Sequence, residues 1–347
     1  MGINACLSCV LIFFLPLHLP KKQDNDTFQL ANYQKKEWLA VVNPNAGIGK
    51  AGRDWGKISG LLEKHGFAYR AVFTERPMHA CELVLESMAE GYRNFIAVGG
   101  DGTMNEVVNG IFRQKEWPTK GFTVGMISVG TGNDWVRTYN IPTNYEQSVL
   151  ILKQHETMLQ DVGIVRYYNN NRQLSRFFVN VAGLGFDGLV AKKTNADKTR
   201  GRGNPFLYLV NLVGSLFSYK SCQTKLIIDG IELTEKVFSI GVGIGKYNGG
   251  GMKQTPDAKT DDGLFDLTMI KDLSKWSVIT NVRRLYDGTI KKHKRVESFT
   301  GKTIRIECES PLLLEADGES LGHAPIAFEI LPRSLRVVVN ADKGGSA

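Results

Sequence analysis

The stretch "AVGGDGTMNEVVNG", Ala97–Gly110, sets Gly99, Gly100 and Gly102 around Asp101, directly after the apolar run Phe95–Val98. Glycines let a backbone come close to phosphate oxygens and turn its amides inward. A helix beginning just beyond such a loop adds its positive end. Both features are present, and Thr103 contributes a hydroxyl at the start of "TMNEVVNG". An acidic side chain inside a phosphate loop would repel a nucleotide unless a cation intervenes, so Asp101 implies Mg²⁺, directly or through water. A plain Gly-Asp-Gly turn after a strand is the competing reading.

Outward from this loop the pattern repeats. Trp38–Val42 reads as a short buried strand and Asn43-Pro44-Asn45-Ala46-Gly47 as its turn. Trp55, Ile58, Leu61 and Leu62 follow at helical spacing. "YRAVFT" is a second strand ending at Thr74, "HACELVLESMAEG" a helix closed by Gly91, "FIAVGG" a third strand and "GFTVGMISV" a fourth. This alternation predicts a parallel α/β sheet, whose ligands bind beyond the carboxyl ends of the strands. Three glycine-bearing turns fall at that edge: "NPNAGIG", "GGDGT" and "GTGND". After about residue 161 the segments "DVGIVRYY", "RQLSRFFVNVAGLG", "TKLIIDG", "IELTEKVFSIGVGIG", "GLFDLTMI", "TIRIECES" and "IAFEILP" read as strands. One long helical candidate, "PFLYLVNLVGSLFSY", interrupts them. The expected architecture is an N-terminal parallel α/β nucleotide-binding domain over residues 36–160 with a C-terminal antiparallel β-sandwich over residues 161–330. Residues 331–347 hold a last strand that returns to the first domain, and residues 1–35 are an extension outside the fold.

The 347 residues are long enough for two cores, and 42% apolar with 22% charged residues is ordinary for a globular chain. A net charge of +8 favours an anionic partner: nucleotide, nucleic acid or acidic lipid. Nucleic acid is disfavoured because no aromatic-interleaved ribonucleoprotein motif or zinc finger is present. Five scattered cysteines, an odd number, argue against a disulfide framework, and Cys6-x-x-Cys9 lacks the further ligands of a zinc site. The apolar run Cys6–Phe14 is too short to span a bilayer and no Lys or Arg precedes it. It reads as a cleaved signal, a shallow anchor or translated upstream sequence, and a non-secreted, cytoplasmic protein is expected. Two lookalikes are discounted. "PNAGIGKA" has Pro44 and Ala51 where a Walker A loop carries glycine and Ser/Thr. "GLGFDG", Gly183–Gly188, matches a dinucleotide fingerprint but lies in the strand-rich half.

Taken together, "VVNPNAGIGKAG", "AVGGDGTMNEVVNG" and "GTGNDWVR" resemble the catalytic domain of diacylglycerol kinases and sphingosine kinases. "NVAGLGFDG", "DDGLFDL" and "EADGE" extend the resemblance to the soluble bacterial branch of that lipid-kinase family, over roughly residues 36–340. NAD kinases and phosphofructokinases also carry GGDG-type loops, so the set of segments, not any one of them, is specific. The resemblance implies an ATP- and Mg²⁺-dependent enzyme with its site between the two domains. Asn43, Pro44, Asn45, Ala46, Gly47, Thr74, Gly99, Gly100, Asp101, Gly102, Thr103, Asn105, Glu106, Thr131 and Asn133 would line the ATP site. Asp101, Asp134 and Asp161 would form an aspartate–water–Mg²⁺ network. Asp262, the Leu264 carbonyl and Asp266 would form a second, structural cation site, against the alternative of a solvated acidic hairpin. Asp317 matches the position of a general base, with Glu319 orienting it or carrying the proton itself, and the GGDG aspartate competes for that role. Without the family context Asp317-Gly318 is simply a β-turn. Ser128-Val129, Trp135 and Val136 depart from the family's usual residues and bear on loop shape.

The acceptor implied is diacylglycerol, with a sphingoid base or ceramide-like lipid as the alternative, and a non-catalytic lipid-binding protein as the alternative of another class. Basic residues cluster at Lys192, Lys193, Lys198, Arg200 and Arg202, and at Arg283, Arg284, Lys291, Lys292, Lys294 and Arg295. Beside the apolar helix these suit an anionic membrane surface, and a solvated basic face is the other reading. The helix itself is read as a buried cap on the second domain or as a membrane-inserting face. Peripheral attachment to the inner membrane face is expected, and a homodimer is compatible with everything above.

Overall fold

The computed structural model describes residues 35–199 and 205–341. The N-terminal segment with Cys6 and Cys9, Arg200 and Arg202 of the first basic run, and the tail after Ala341 lie outside the described residues.

The first half alternates as the sequence pattern requires: β1 (Lys35–Val42), α1 (Ala46–Lys64), β2 (Tyr69–Phe73), α2 (His79–Ala89), β3 (Tyr92–Gly99), α3 (Asp101–Arg113), β4 (Thr123–Ser128), α4 (Asp134–Thr138) and α5 (Tyr145–Gln154). The strands pair in parallel in the order β2-β1-β3-β4. Leu39–Val42 and Phe95–Val98 are fully buried, which is why they are continuous apolar runs instead of alternating ones. In α3, Met104, Val107, Val108 and Ile111 recur at helical spacing and face the same core. The regular part of α1 starts later than its first residue, because Gly47, Ile48 and Gly49 have φ of 60°, 59° and 75°. Two glycines make this left-handed passage cheap; Ile48, β-branched, is strained in it.

The second half contains β5 (Thr157–Asn169), β6 (Arg172–Phe178), β7 (Val181–Gly185), α6 (Phe186–Thr199), α7 (Pro205–Ser218), β8 (Cys222–Ile228), β9 (Ile231–Gly243), β10 (Tyr247–Asn248) and β11 (Met252–Lys253). It ends with β12 (Phe265–Lys271), α8 (Lys275–Asn281), α9 (Arg283–Asp287), β13 (Val296–Gly301), β14 (Thr303–Cys308), β15 (Leu313–Ala316) and β16 (Glu319–Val338). Its strands pair antiparallel around a separate apolar core that includes Phe178, Phe265 and Phe328. The 20-residue β16 runs through both halves: it pairs with β15, β14 and β5, and at Arg336–Val337 it lies parallel to β4.

Three differences from the sequence pattern matter for the site. "RQLSRFFVNVAGLG" is two strands, broken at Val179-Asn180. "IAFEILP" and "SLRVVVN" are one strand bulged between Leu331 and Leu335. Helices α6, α8 and α9 occupy segments with few core-facing apolar residues: among the described residues, Phe186 and Val190 of α6 are buried in the core and Val278 of α8 is partly so. "GLGFDG" joins β7 to α6 with no space for a phosphate. Side chains at Gly183, Gly185 and Gly188 would come within 2.6, 2.8 and 2.4 Å of the Glu315 carboxylate, the Phe238 carbonyl and the Leu313 carbonyl.

Gln160 in β5 ties α4 to the second half. Its Oε1 accepts from Trp135 Nε1 at 3.1 Å and Tyr139 OH at 2.7 Å, and its Nε2 donates to the Val179 carbonyl. Gln160→Leu strands two buried donors, each costing about 1–3 kcal/mol. A loss of about 2–4 kcal/mol in urea unfolding is expected; a change below about 1 kcal/mol would mean that α4 is held by apolar packing alone.

Candidate active site

The three glycine-bearing loops meet beyond the carboxyl ends of β1, β3 and β4. A Cβ on Gly47 would lie 2.3 Å from the Val129 carbonyl, and one on Gly130 would lie 2.6 Å from Gly100 Cα. Only glycine permits that stacking. Thr103 covers Gly99, and its Oγ1 accepts from Asn43 Nδ2 at 3.3 Å, linking the first loop to the start of α3. Asn43 Oδ1 in turn accepts from the Asn45 amide at 3.1 Å. Gly100 is the extended residue preceding α3, so the positive end of that helix opens onto the loops.

Asp101, the first residue of α3, points away from its own helix and accepts from the amides of Asp134 (3.3 Å) and Trp135 (3.0 Å), the opening residues of α4. Asp134 is itself buried, and its carboxylate accepts from the Gly250 and Gly251 amides at 2.8 and 2.7 Å. Those glycines form the turn between β10 and β11. Burial raises the Asp101 carboxyl above the ordinary range against the pull of these amides, and burial together with the Asp101 charge pushes Asp134 up to about 6. The two carboxylates face one small space: a methyl on Gly132 would lie 3.0 Å from Asp101 Oδ2 and 3.3 Å from Asp134 Oδ2. A pair of buried like charges around such a cradle fits a divalent cation. Among the described residues no group of three or more His, Cys, Asp or Glu forms a metal cage.

Asp317 lies in the two-residue turn joining β15 to β16, with φ of 49° at Asp317 and 80° at Gly318, the signature of an Asp-Gly hairpin turn. The turn aims its carboxylate inward. Oδ2 accepts from Asn105 Nδ2 at 2.8 Å and the Val179 amide at 3.0 Å, and Oδ1 from the Asn180 amide at 3.0 Å. Burial raises the carboxyl to about 6 against these donors, with the Asp101 charge adding to the rise. Asn105 is one turn along α3 from Asp101, and it is fixed by Arg176 Nε on its Oδ1 at 2.7 Å. Glu319 reaches the same helix: a Cβ on Gly102 would lie 2.7 Å from Glu319 Oε1, and Asn195 of α6 bonds both Glu319 and the Gly318 carbonyl.

Comparison with known proteins places the chain in a family. Residues 37–165 match the diacylglycerol kinase catalytic domain, and residues 180–339 match the YegS C-terminal NAD kinase beta sandwich-like domain. A diacylglycerol kinase of Staphylococcus aureus (strain bovine RF122 / ET3-1) is 30% identical over 310 residues, covering 89% of this chain and 94% of its own. The chain belongs to the diacylglycerol kinase family. A second relative of that name, from Staphylococcus saprophyticus, is 28% identical over 309 residues, covering 89% of this chain and 97% of its own. A solved structure of a diacylglycerol kinase from Bacillus anthracis str. Sterne shares the fold, with a TM-score of 0.65 at 23% identity over 89% of this chain and 99% of its own. Membership makes the protein an enzyme, a lipid kinase that transfers a phosphoryl group to an alcohol.

Within this kinase fold, not every expected residue stands at the cleft. Glu106 turns to the start of α2, accepting from the Met78 and Ala80 amides at 2.8 and 3.2 Å. Thr74 is buried at the end of β2, and Thr131 is exposed on the third loop. Asn133, at positive φ, accepts from the Ser128 hydroxyl. The Asp161 carboxylate is taken up by the amides of Gly263 (2.7 Å) and of Arg333 (2.6 Å), the latter at the β16 bulge. It thus joins the Asp262 loop and not the Asp101–Asp134 pair. In that loop Asp262 accepts from the Leu264 amide at 3.0 Å, and burial with the Asp262 charge lifts Asp266 to about 6.

Sequence reasoning missed Glu315, two residues before Asp317 in the same "EADGE". Its Oε2 accepts from the Gly318 amide at 2.9 Å and its Oε1 from Asn248 Nδ2 at 2.7 Å. It thereby braces both the Asp317 turn and the hairpin that grips Asp134. Burial lifts its carboxyl from the ordinary 4.5 to about 8, with Asp187 and Asp317 adding to the rise. Because the folded value is the higher one, Glu315 contributes stability that is complete below 4.5 and is lost as pH rises through about 8. Glu315→Gln mimics the protonated form at every pH. The Tm of wild type relative to Glu315→Gln is therefore expected to fall between about pH 4.5 and about pH 8 and then level off. Parallel Tm curves over that range would show that Glu315 keeps one protonation state.

Proposed function

We propose that this kinase transfers the γ-phosphoryl group of ATP, with Mg²⁺, to the free hydroxyl of diacylglycerol at the cytoplasmic face of a membrane, giving phosphatidic acid. The observation that supports it is the convergence of the Asp101–Asp134 pair and Asp317 on one helix, α3. Asp101 and Asn105 are four residues apart, so the proton acceptor stands roughly 6 Å along the helix axis from the phosphate loop. That the Staphylococcus relatives are diacylglycerol kinases supports diacylglycerol as acceptor.

The amides of Gly99–Gly102 and the positive end of α3 receive the phosphates. Asp101 and Asp134 would hold the cation. When bound, it neutralises charge on the phosphates. Asp317 accepts the proton of the lipid hydroxyl as the hydroxyl oxygen attacks the γ-phosphorus and ADP leaves. A carboxyl near 6 is mostly ionised at neutral pH yet basic enough for that work. Three donors occupy its oxygens, and a carboxylate offers about four acceptor positions, which leaves one for the substrate. Glu319, against Gly102, orients the turn and shields the phosphate loop.

The test is labelled-ATP turnover with a panel of diacylglycerol, a sphingoid base, ceramide and NAD, run on wild type beside Asp317→Asn. Turnover on diacylglycerol is expected for wild type, with a loss of about 10²–10⁴ in kcat for Asp317→Asn and nucleotide affinity nearly unchanged. Full activity in Asp317→Asn would move the base role to Asp101 or Glu319. Binding of lipid without phosphorylation of any acceptor would make the chain a binding protein.

A further inference from the structure

Four of the eleven exposed large apolar residues among those described fall in eleven consecutive positions: Trp276 (73% exposed), Ile279 (43%), Val282 (38%) and Tyr286 (52%). Val282 joins α8 to α9 in right-handed helical conformation, so the two run on as one amphipathic element. Trp276, Ile279, Arg283 and Tyr286 stand at intervals of three and four, one stripe on its outer side. The inner side is anchored. Val278 packs in the cluster of Phe186, Leu216 and Phe238, and Lys275 Nζ donates to the Tyr219 carbonyl at the end of α7. From α7 itself, Leu216 enters that cluster while Val213 and Phe217 face outward. Scattered exposed apolar side chains need no explanation, but a contiguous helical stripe does.

The charge around the stripe identifies what covers it. Residues 271–295 hold eight Lys or Arg against two Asp. Lys271 is paired with Glu235 and Glu297, and Lys291 with Asp257. Arg283, Arg284, Lys292, Lys294 and Arg295 give the surface its positive sign, and Asp287 sits among them with its carboxyl lowered by the Thr289 hydroxyl and amide and by Arg283 and Arg284. The His293 imidazole is held below its ordinary value by burial and by Arg284, Lys294 and Arg295. A second copy of the chain on this stripe would press two cationic faces together across a two-fold axis. An anionic bilayer meets both features, with Trp and Tyr at the headgroup level and each nearby basic residue adding attraction.

We infer that the α8–α9 face docks the protein on an anionic lipid bilayer, with Trp276, Ile279, Val282 and Tyr286 entering the headgroup region and the basic residues framing them. This deepens the lipid-kinase reading and rests on it for the purpose of docking, not for the binding itself. The position suits that purpose. The α9 helix packs on β11, and the β10–β11 turn supplies the amides that hold Asp134. The docked surface is therefore one hairpin away from the cleft.

The test is flotation of the full-length protein with vesicles of phosphatidylcholine containing about 30% phosphatidylglycerol, and with pure phosphatidylcholine vesicles. Wild type is expected to float with the anionic vesicles and to lose binding in high salt. Trp276→Ser with Tyr286→Ser, and separately Arg283→Gln with Arg284→Gln, are each expected to weaken that binding about tenfold or more. Turnover on a short-chain, water-soluble diacylglycerol is measured alongside and should match wild type in all variants. Variants that float like wild type would overturn the docking face while leaving the kinase reading intact. Absence of turnover on the soluble lipid, with vesicle binding as expected, would overturn the kinase reading alone. A wild-type dimer that becomes monomeric in Trp276→Ser with Tyr286→Ser would assign the stripe to a second copy and overturn the bilayer.

Discussion

The site depends on an exchange of hydrogen bonds between two halves of the chain, each of which buries a carboxylate that it cannot fully satisfy alone. Asp134 belongs to the α/β half and is held by the Gly250 and Gly251 amides of the other. Asp317 belongs to the strand-rich half and is held in part by Asn105 of α3. An ionised carboxylate without such partners costs several kcal/mol when buried. The halves must therefore close on one another to keep both charges, and that closure defines the cleft. The β5–β16 ribbon, shared by both halves, keeps the two sides in register while this happens.

The acids and bases of the chain are sorted by the fold. Burial raises Asp101, Asp134, Asp187, Asp317 and Glu315, all within the cleft or the polar cluster behind it. Such a set of crowded carboxyls is stable only with amides, protons or a cation among them. The basic excess stands elsewhere, around α8 and α9. A net charge of +8 thus conceals an acidic cluster beside a cationic surface.

Much of the α/β half is legible in the sequence. Phe95–Val98 followed by Gly-Gly-Asp-Gly is a local signal: a run buried on both faces, then residues without side chains where backbones stack. The Asp317-Gly318 turn is legible too, and the structure shows it as the β-turn that the Asp-Gly pair predicts. The hairpin turn that local preference demands is the device that turns the carboxylate inward. Glu106 shows the opposite case. The family resemblance implied a nucleotide contact, but the start of a helix 28 residues upstream claims its side chain. Helices α8 and α9 were hidden because their outer stripe is apolar and their inner contacts few, so no hydrophobic periodicity announced a core-facing side.

By itself, the amino-acid sequence determined the elements whose cause is local. These are the parallel strands, the glycine loops at their ends, the Asp-Gly turn and the family to which their order belongs. Tertiary structure alone decided which carboxylates meet. Asp161 went to the Gly263 and Arg333 amides, and Glu315 became the brace between the Asp317 turn and the hairpin at Asp134. The reason is that a buried carboxylate takes whichever donors closure brings within about 3 Å. Those donors are mostly backbone amides, which every residue but proline carries and which no side-chain pattern reveals.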